Sequence, residues 1–193
     1  MLKVHGLVGW IAHSAMWLAF AASPLHGALA ATYDIKVKNS ERVLIVRDGS
    51  TVKRTFRVAL GRGGRGDKQR TGDNKTPIGT YRIIGVNDRS QFDMFLRLNY
   101  PNVKDAFYGL KDARITRTQF NRIVGALRRN QMPPQNTELG GSIGIHGIGE
   151  ETVEKVQIHE SLDWTRGCIA LRNADLHELR PYLDIGTRVV IHE

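Results

Sequence analysis

The 193-residue sequence holds a single cysteine, Cys168. That excludes an internal disulfide framework and any multi-cysteine zinc site, and it leaves one candidate for a reactive thiol. Acidic residues are scarce: 19 Asp and Glu stand against 28 Lys and Arg, for a formal net charge of +9. No apolar run is long and unbroken enough for a comfortable membrane span of about 20 residues. There is no internal repeat, and no linker composition after residue 31. At 41% hydrophobic and 24% charged the composition is ordinary, which argues against wholesale disorder and a multi-span membrane protein. The length suits one domain of moderate size.

Residues 1–30 carry one charge, Lys3, and no acid. Leu7 to Ala22 is mostly apolar, Ser23-Pro24 breaks it, and Ala28-Leu29-Ala30 precedes Ala31. A basic start, an apolar middle and an Ala-x-Ala end match a secretory signal peptide. An uncleaved N-terminal anchor is the alternative. Either way residues 31–193 are expected outside the cytoplasm. An exported basic domain implies acidic partners, such as the peptidoglycan and anionic headgroups of a bacterial envelope. A solubilising surface charge is the plainer reading of the same excess.

The first half of that domain reads as strands. Tyr33, Ile35 and Val37 alternate with polar residues, and Val43 to Val46 is a short apolar run ahead of Asp48-Gly49, a hairpin signal. Phe56, Val58 and Leu60 share one parity. Residues 61–76 form a Gly-rich basic stretch without the Gly-Lys-Ser/Thr of a phosphate-binding loop, and are expected to be a mobile surface loop. Residues 116–132 switch to helical spacing: Thr116 and Gln119 make a capping box, and Phe120, Ile123, Val124 and Leu127 fall on one face. A second short helix is expected behind Asn173 as cap, with Leu176, Leu179 and Leu183 inward. Seven or eight short strands and two helices make a single mainly-β domain.

Cys168 follows Arg166 and Gly167 at the entry to an apolar stretch. Arg166 would favour thiolate, and Gly167 would let a substrate carbonyl approach the backbone while leaving N–H groups to hold an oxyanion. A lone cysteine with a histidine elsewhere is a candidate nucleophile–base pair, with an inert buried thiol as the alternative. Of the histidines beyond residue 30, His146 ends an apolar strand before Gly147 and is the first choice as partner. His159 is second, while His177 and His192 sit on polar positions. A zinc site from His146, His159 and Cys168 matches no standard ligand spacing.

Ile-Gly-Ile-His-Gly at residues 143–147 and Thr-Arg-Gly-Cys-Ile-Ala-Leu at 165–171 resemble the L,D-transpeptidase catalytic domain, also called YkuD-type. Gly-Asp-Asn-Lys-Thr-Pro-Ile-Gly-Thr-Tyr at 72–81 resembles an upstream element of the same family. The wording around Cys168 looks most like its YafK-type (ErfK/YbiS-related) branch. The resemblance covers roughly residues 32–193. It implies a β-sandwich-like domain of mixed sheets with two peripheral helices. It carries the nucleophile onto Cys168, the general acid/base onto His146 and an oxyanion backbone onto Gly167. The commonest family pattern has His before the Gly-Cys pair and Arg two places after Cys. This chain has Arg166 and Ala170 there, which makes Arg166, Arg172 and Gly147 candidates for binding substrate. The resemblance implies peptidoglycan as partner, with an envelope lipoprotein as a further one. It implies no metal, cofactor or nucleic acid, and a membrane contact only if the N-terminus stays uncleaved. Transfer to an amine, hydrolysis, and a non-catalytic peptidoglycan-binding role are the readings left open.

Overall fold

A computed structural model describes residues 33–193 and, before them, only Met1. The expected export signal in residues 1–30 lies outside the described residues. Strands β1 (Asp34–Lys38), β2 (Val43–Asp48) and β3 (Thr51–Arg57) are followed by β4 (Gly79–Ser90) and β5 (Asp93–Leu98). Then come helices α1 (Val103–Lys111) and α2 (Arg117–Arg128), strand β6 (Gly144–His146), helix α3 (Val153–Ser161), strand β7 (Ile169–Ala170), helix α4 (Asn173–Leu179) with a 3-10 turn behind it, and strand β8 (Arg188–His192).

The strands form one mixed sheet in the order β3-β2-β1-β8-β4-β5-β6-β7. The long β4 serves two neighbourhoods: its first residues pair with β8 and its later ones with β5. The chain just after β3 reaches β7, where Ala59 pairs with Ala170. The two ends of the sheet therefore meet, and β4 joins its two halves. The apolar parity of the strands fills the space between. Ile35, Val37, Leu44, Val46, Leu96, Ile145, Ile169 and Val189 are all fully buried in one cluster. Burying such side chains is worth about 2 kcal/mol each.

There are four α-helices among the described residues rather than the two expected. α2 is capped by Thr116 and Gln119 as read from the sequence. α1 has the apolar spacing Val103, Ala106, Phe107 and Leu110 behind an Asn102/Asp105 capping box, although Val103, Phe107 and Tyr108 stay exposed in the fold. α3 buries only His159 and lacks such a face. Asn173 is the first residue of α4 and does not cap it. Its side chain accepts from the Ile148 N–H (3.0 Å) and donates to the Gly149 carbonyl (2.6 Å), which pins the turn after His146.

Residues 61–76 are not a loose loop. Lys68 is buried and paired with Asp73 at 2.7 Å. Asp73 also accepts the N–H groups of Gln69, Arg70 and Lys75. The segment folds back so tightly that a Cβ on Gly61 would lie 2.2 Å from the Asn74 carbonyl oxygen. That folding brings the Lys75 carbonyl against Gly167, beside the lone thiol.

Candidate active site

Three strands build the site. β6 pairs antiparallel with β5, with Phe95 opposite His146 and Arg97 opposite Gly144. On its other side β6 pairs parallel with β7, with Ile145 opposite Ile169 and His146 opposite Ala170. Side chains alternate between the two faces of a strand. Leu96, Ile145 and Ile169 therefore enter the core, and Phe95, Arg97 and His146 share the opposite face. Cys168 immediately precedes Ile169, so it lies on that opposite face with His146, displaced by two residues on the adjacent strand. Strand spacing and rise put the two Cα atoms about 8 Å apart, within reach of a thiol and an imidazole that lean toward each other. Both side chains line one groove of about 950 Å³.

His146 is almost wholly buried, at 2% exposure. Its ring lies 4.4 Å from that of Phe92, 5.8 Å from Phe95 and 5.9 Å from Trp164. Nδ1 is 2.6 Å from the Gly147 carbonyl oxygen, which makes it the protonated nitrogen and leaves Nε2 with a free lone pair. Burial holds the imidazole below its usual pKa, with the Gly147 carbonyl opposing the shift. The ring is neutral at neutral pH.

Cys168 keeps partial solvent exposure. The protein packed around it pushes the thiol up to about 11, against the smaller opposing effects of the Gly144 N–H and the Lys68 and Arg97 charges. Arg166, expected to favour thiolate, is not among the groups that do so. The S–H donates to the Ser142 carbonyl at 3.4 Å, not to the imidazole. Ser142 holds φ at +57°, an uncommon conformation for a residue with a side chain. The resting pair is a neutral thiol beside a neutral imidazole.

The remaining expected residues separate. Gly167 (φ +123°) admits no side chain, since a Cβ would meet the Lys75 carbonyl oxygen at 2.7 Å. Its N–H donates to Thr165 Oγ1 at 3.1 Å and so is not open to an oxyanion. Among the described residues the Cys168 N–H has no backbone or side-chain acceptor. Gly147 is buried between Phe92 and Asn173 and faces protein, not the groove. Its carbonyl orients the His146 ring. Arg166 lines the groove, exposed. Arg172 does not; its guanidinium lies 3.4 Å from Glu151 and 3.5 Å from Glu160. His159 is also off the groove. It accepts the Trp164 indole N–H at 3.4 Å, and burial together with the Arg42 and Arg172 charges pushes it down to about 4. Among the described residues no three His, Cys, Asp or Glu side chains are placed to hold a metal ion.

Phe92, Phe95, Arg89 and Arg97 line the groove without having been singled out in the sequence. Their signal was the parity of β5: Met94, Leu96 and Leu98 claim the core, so Phe95 and Arg97 must face away from it.

The L,D-transpeptidase catalytic-domain model matches residues 32–191, nearly the whole described chain. The chain belongs to the YkuD family. No curated protein matches it by sequence alone. Among solved structures it is similar to the helical cell shape determining protein Pgp2 from Campylobacter jejuni, at 21% identity and a TM-score of 0.55. Bd1075 from Bdellovibrio bacteriovorus is similar at 21% identity and 0.50, and an L,D-transpeptidase from Mycobacterium smegmatis at 10% and 0.50. Each match covers 84% of this chain but only 48%, 48% and 59% of those proteins respectively, so the chain spans about half their length. At these identities the likeness is one of fold, and it places the YkuD sheet of this chain among L,D-transpeptidase folds.

Proposed function

We propose that the chain is an exported cysteine acyltransferase acting on peptidoglycan stem peptides, with Cys168 as nucleophile and His146 as general acid/base. The observation that carries this is the pairing of β6 with β7, which sets the lone thiol and an oriented imidazole on one face of the sheet, in one open groove.

The reaction starts from the neutral pair. His146 Nε2 takes the thiol proton as Sγ attacks the carbonyl at the L-centre of diaminopimelate. The Cys168 N–H is the donor placed to meet the oxyanion, while Gly167 shapes the turn. The C–N bond breaks, and the imidazolium gives its proton to the leaving D-alanine amine. A thioester to Cys168 remains. An amine acceptor that loses its proton to His146 forms a new amide and frees the thiol. Water in the same position gives a carboxylic acid and net hydrolysis.

Residues 1–30 are read as the signal that delivers the domain to the periplasm or another envelope compartment, where peptidoglycan is the partner. The likeness in fold to Pgp2, a cell shape determining protein, supports a part in wall remodelling. The YafK-like wording around Cys168 supports hydrolytic release of a peptidoglycan-linked lipoprotein as the second outcome. The test is incubation of the protein with defined muropeptides, with and without an amine acceptor, read by mass spectrometry beside a Cys168→Ala control. Activity that survives the substitution removes the nucleophile assignment. A cross-linked product assigns transfer, and a trimmed product in the presence of acceptor assigns hydrolysis.

A further inference from the structure

Arg97 is a cation without an anion. It projects from β5 opposite Gly144, one step before the Ile145–Ile169 pair that follows Cys168. The Phe95 ring lies over that glycine; a Cβ there would be 2.6 Å from its Cζ. The Arg97 guanidinium sits 5.7 Å from the centre of the same ring, in cation–π range. Phe95 therefore backs the guanidinium in the groove that Cys168 also lines. Among the described residues Arg97 has no salt bridge, and its side chain donates no hydrogen bond. No Asp or Glu lines the groove at all, whereas Arg89, Arg97 and Arg166 do. A half-buried, ring-held guanidinium that faces a groove without acids has five unused N–H donors in a fork suited to a carboxylate.

Peptide geometry says which carboxylate. In a donor whose leaving group is one terminal amino acid, the free carboxylate lies within about one residue, or 4 Å, of the scissile carbon. It must sit near the sulfur, in the groove Arg97 lines, and Arg97 is the groove arginine whose charge acts on the Cys168 thiol. Carboxylates further along the donor lie further from the sulfur.

We infer that Arg97 binds the free α-carboxylate of the leaving residue, and that this makes the site selective for donors ending one residue beyond the scissile bond. The inference rests on the proposed nucleophile and names its substrate more closely. A leaving group attached through a lysine side-chain amine puts no carboxylate beside the scissile nitrogen and does not engage Arg97. The trimming or transfer of a terminal D-residue is then favoured over release of a side-chain-linked protein.

The test uses two donors, the stem tetrapeptide ending in D-alanine and the same peptide ending in D-alaninamide. Release of the terminal residue is followed by mass spectrometry for the native protein, Arg97→Gln, Arg97→Lys and Cys168→Ala. For the native protein, amidation lowers kcat/KM about thirtyfold, the usual scale for a charge-assisted bidentate hydrogen bond. In Arg97→Gln the two donors come within about threefold of each other, and Arg97→Lys lies between. Any effect of Arg97 on the thiol itself acts on both donors alike, so the acid-to-amide ratio isolates the carboxylate contact. A native protein that cleaves acid and amide equally, or an Arg97→Gln variant that keeps the native ratio, overturns the inference while leaving Cys168 untouched. Cleavage that persists in Cys168→Ala overturns the nucleophile instead, and the ratio in the other variants still reports on Arg97.

Discussion

Alkylation of Cys168 against pH separates the two ways a cysteine and a histidine can start an acyl transfer. A preformed thiolate–imidazolium pair reacts at a rate that stays flat down to about pH 4–5. The structure argues for the other state. Burial pushes the thiol up to about 11 and holds His146 below its usual value, so both groups are neutral at pH 7. With a pKa of about 11, the thiolate fraction at pH 7 is on the order of 10⁻⁴, about 300-fold below that of an ordinary cysteine with pKa about 8.5. Iodoacetamide labelling, followed by intact-mass spectrometry from pH 4 to 11, should rise about tenfold per unit from neutral pH upward with no acid plateau. Removing the Lys68 charge by Lys68→Met should move the inflection higher still, since that cation lowers the thiol pKa. A plateau below pH 6, or labelling at pH 7 as fast as free cysteine, would refute the neutral pair and make His146 a cationic partner from the outset.

Gly167→Ala forces a Cβ to 2.7 Å from the Lys75 carbonyl oxygen at a φ of +123°. We expect a loss of about 2–4 kcal/mol in urea unfolding, with activity lost alongside. Asp73→Asn leaves the Lys68 ammonium, 4% exposed, without its counter-charge. The expected cost is about 3–5 kcal/mol by chemical denaturation. Burial alone would raise the Asp73 pKa, but Lys68 and the Arg70, Gln69 and Lys75 N–H groups hold it below the usual range. Its stabilisation is therefore full above the ordinary carboxylate pKa and fades as pH falls through the folded value, so the variant should show a flatter acid limb. Phe92→Ala removes the ring 4.4 Å from His146 and lets water in. Because burial depresses that imidazole, its pKa should rise toward about 6.5, read by NMR titration. No rise would mean that burial by this ring does not set it.

Much of this site was legible before any fold was known, because its chemistry is written in local residue types. One thiol in the chain leaves one nucleophile to consider. His146 before Gly147, at the end of an apolar run, already looked like a side chain standing at a strand end. The capping box at Thr116 and the alternation in β1 depend only on near neighbours, and both appear where the spacing puts them. Arg97, Phe95 and Phe92 were not legible, since their importance comes from facing β6, about fifty residues later in the chain. Gly167 was half legible. Its need for a bare Cα was clear, but the use of its N–H depends on the Thr165 hydroxyl turning back to it. Arg172 looked like a groove residue by its closeness to Cys168, yet α4 begins there and Glu151 and Glu160 draw its charge away.

The sequence by itself determined the one thiol to consider, the basic character and the strand-rich class, because element type, charge and short-range periodicity are properties of neighbouring residues. The tertiary structure alone decided the environment of the thiol, the burial of the imidazole and which arginines line the groove. Those depend on dielectric surroundings and cross-strand register, which come into being only when distant segments pack into one sheet.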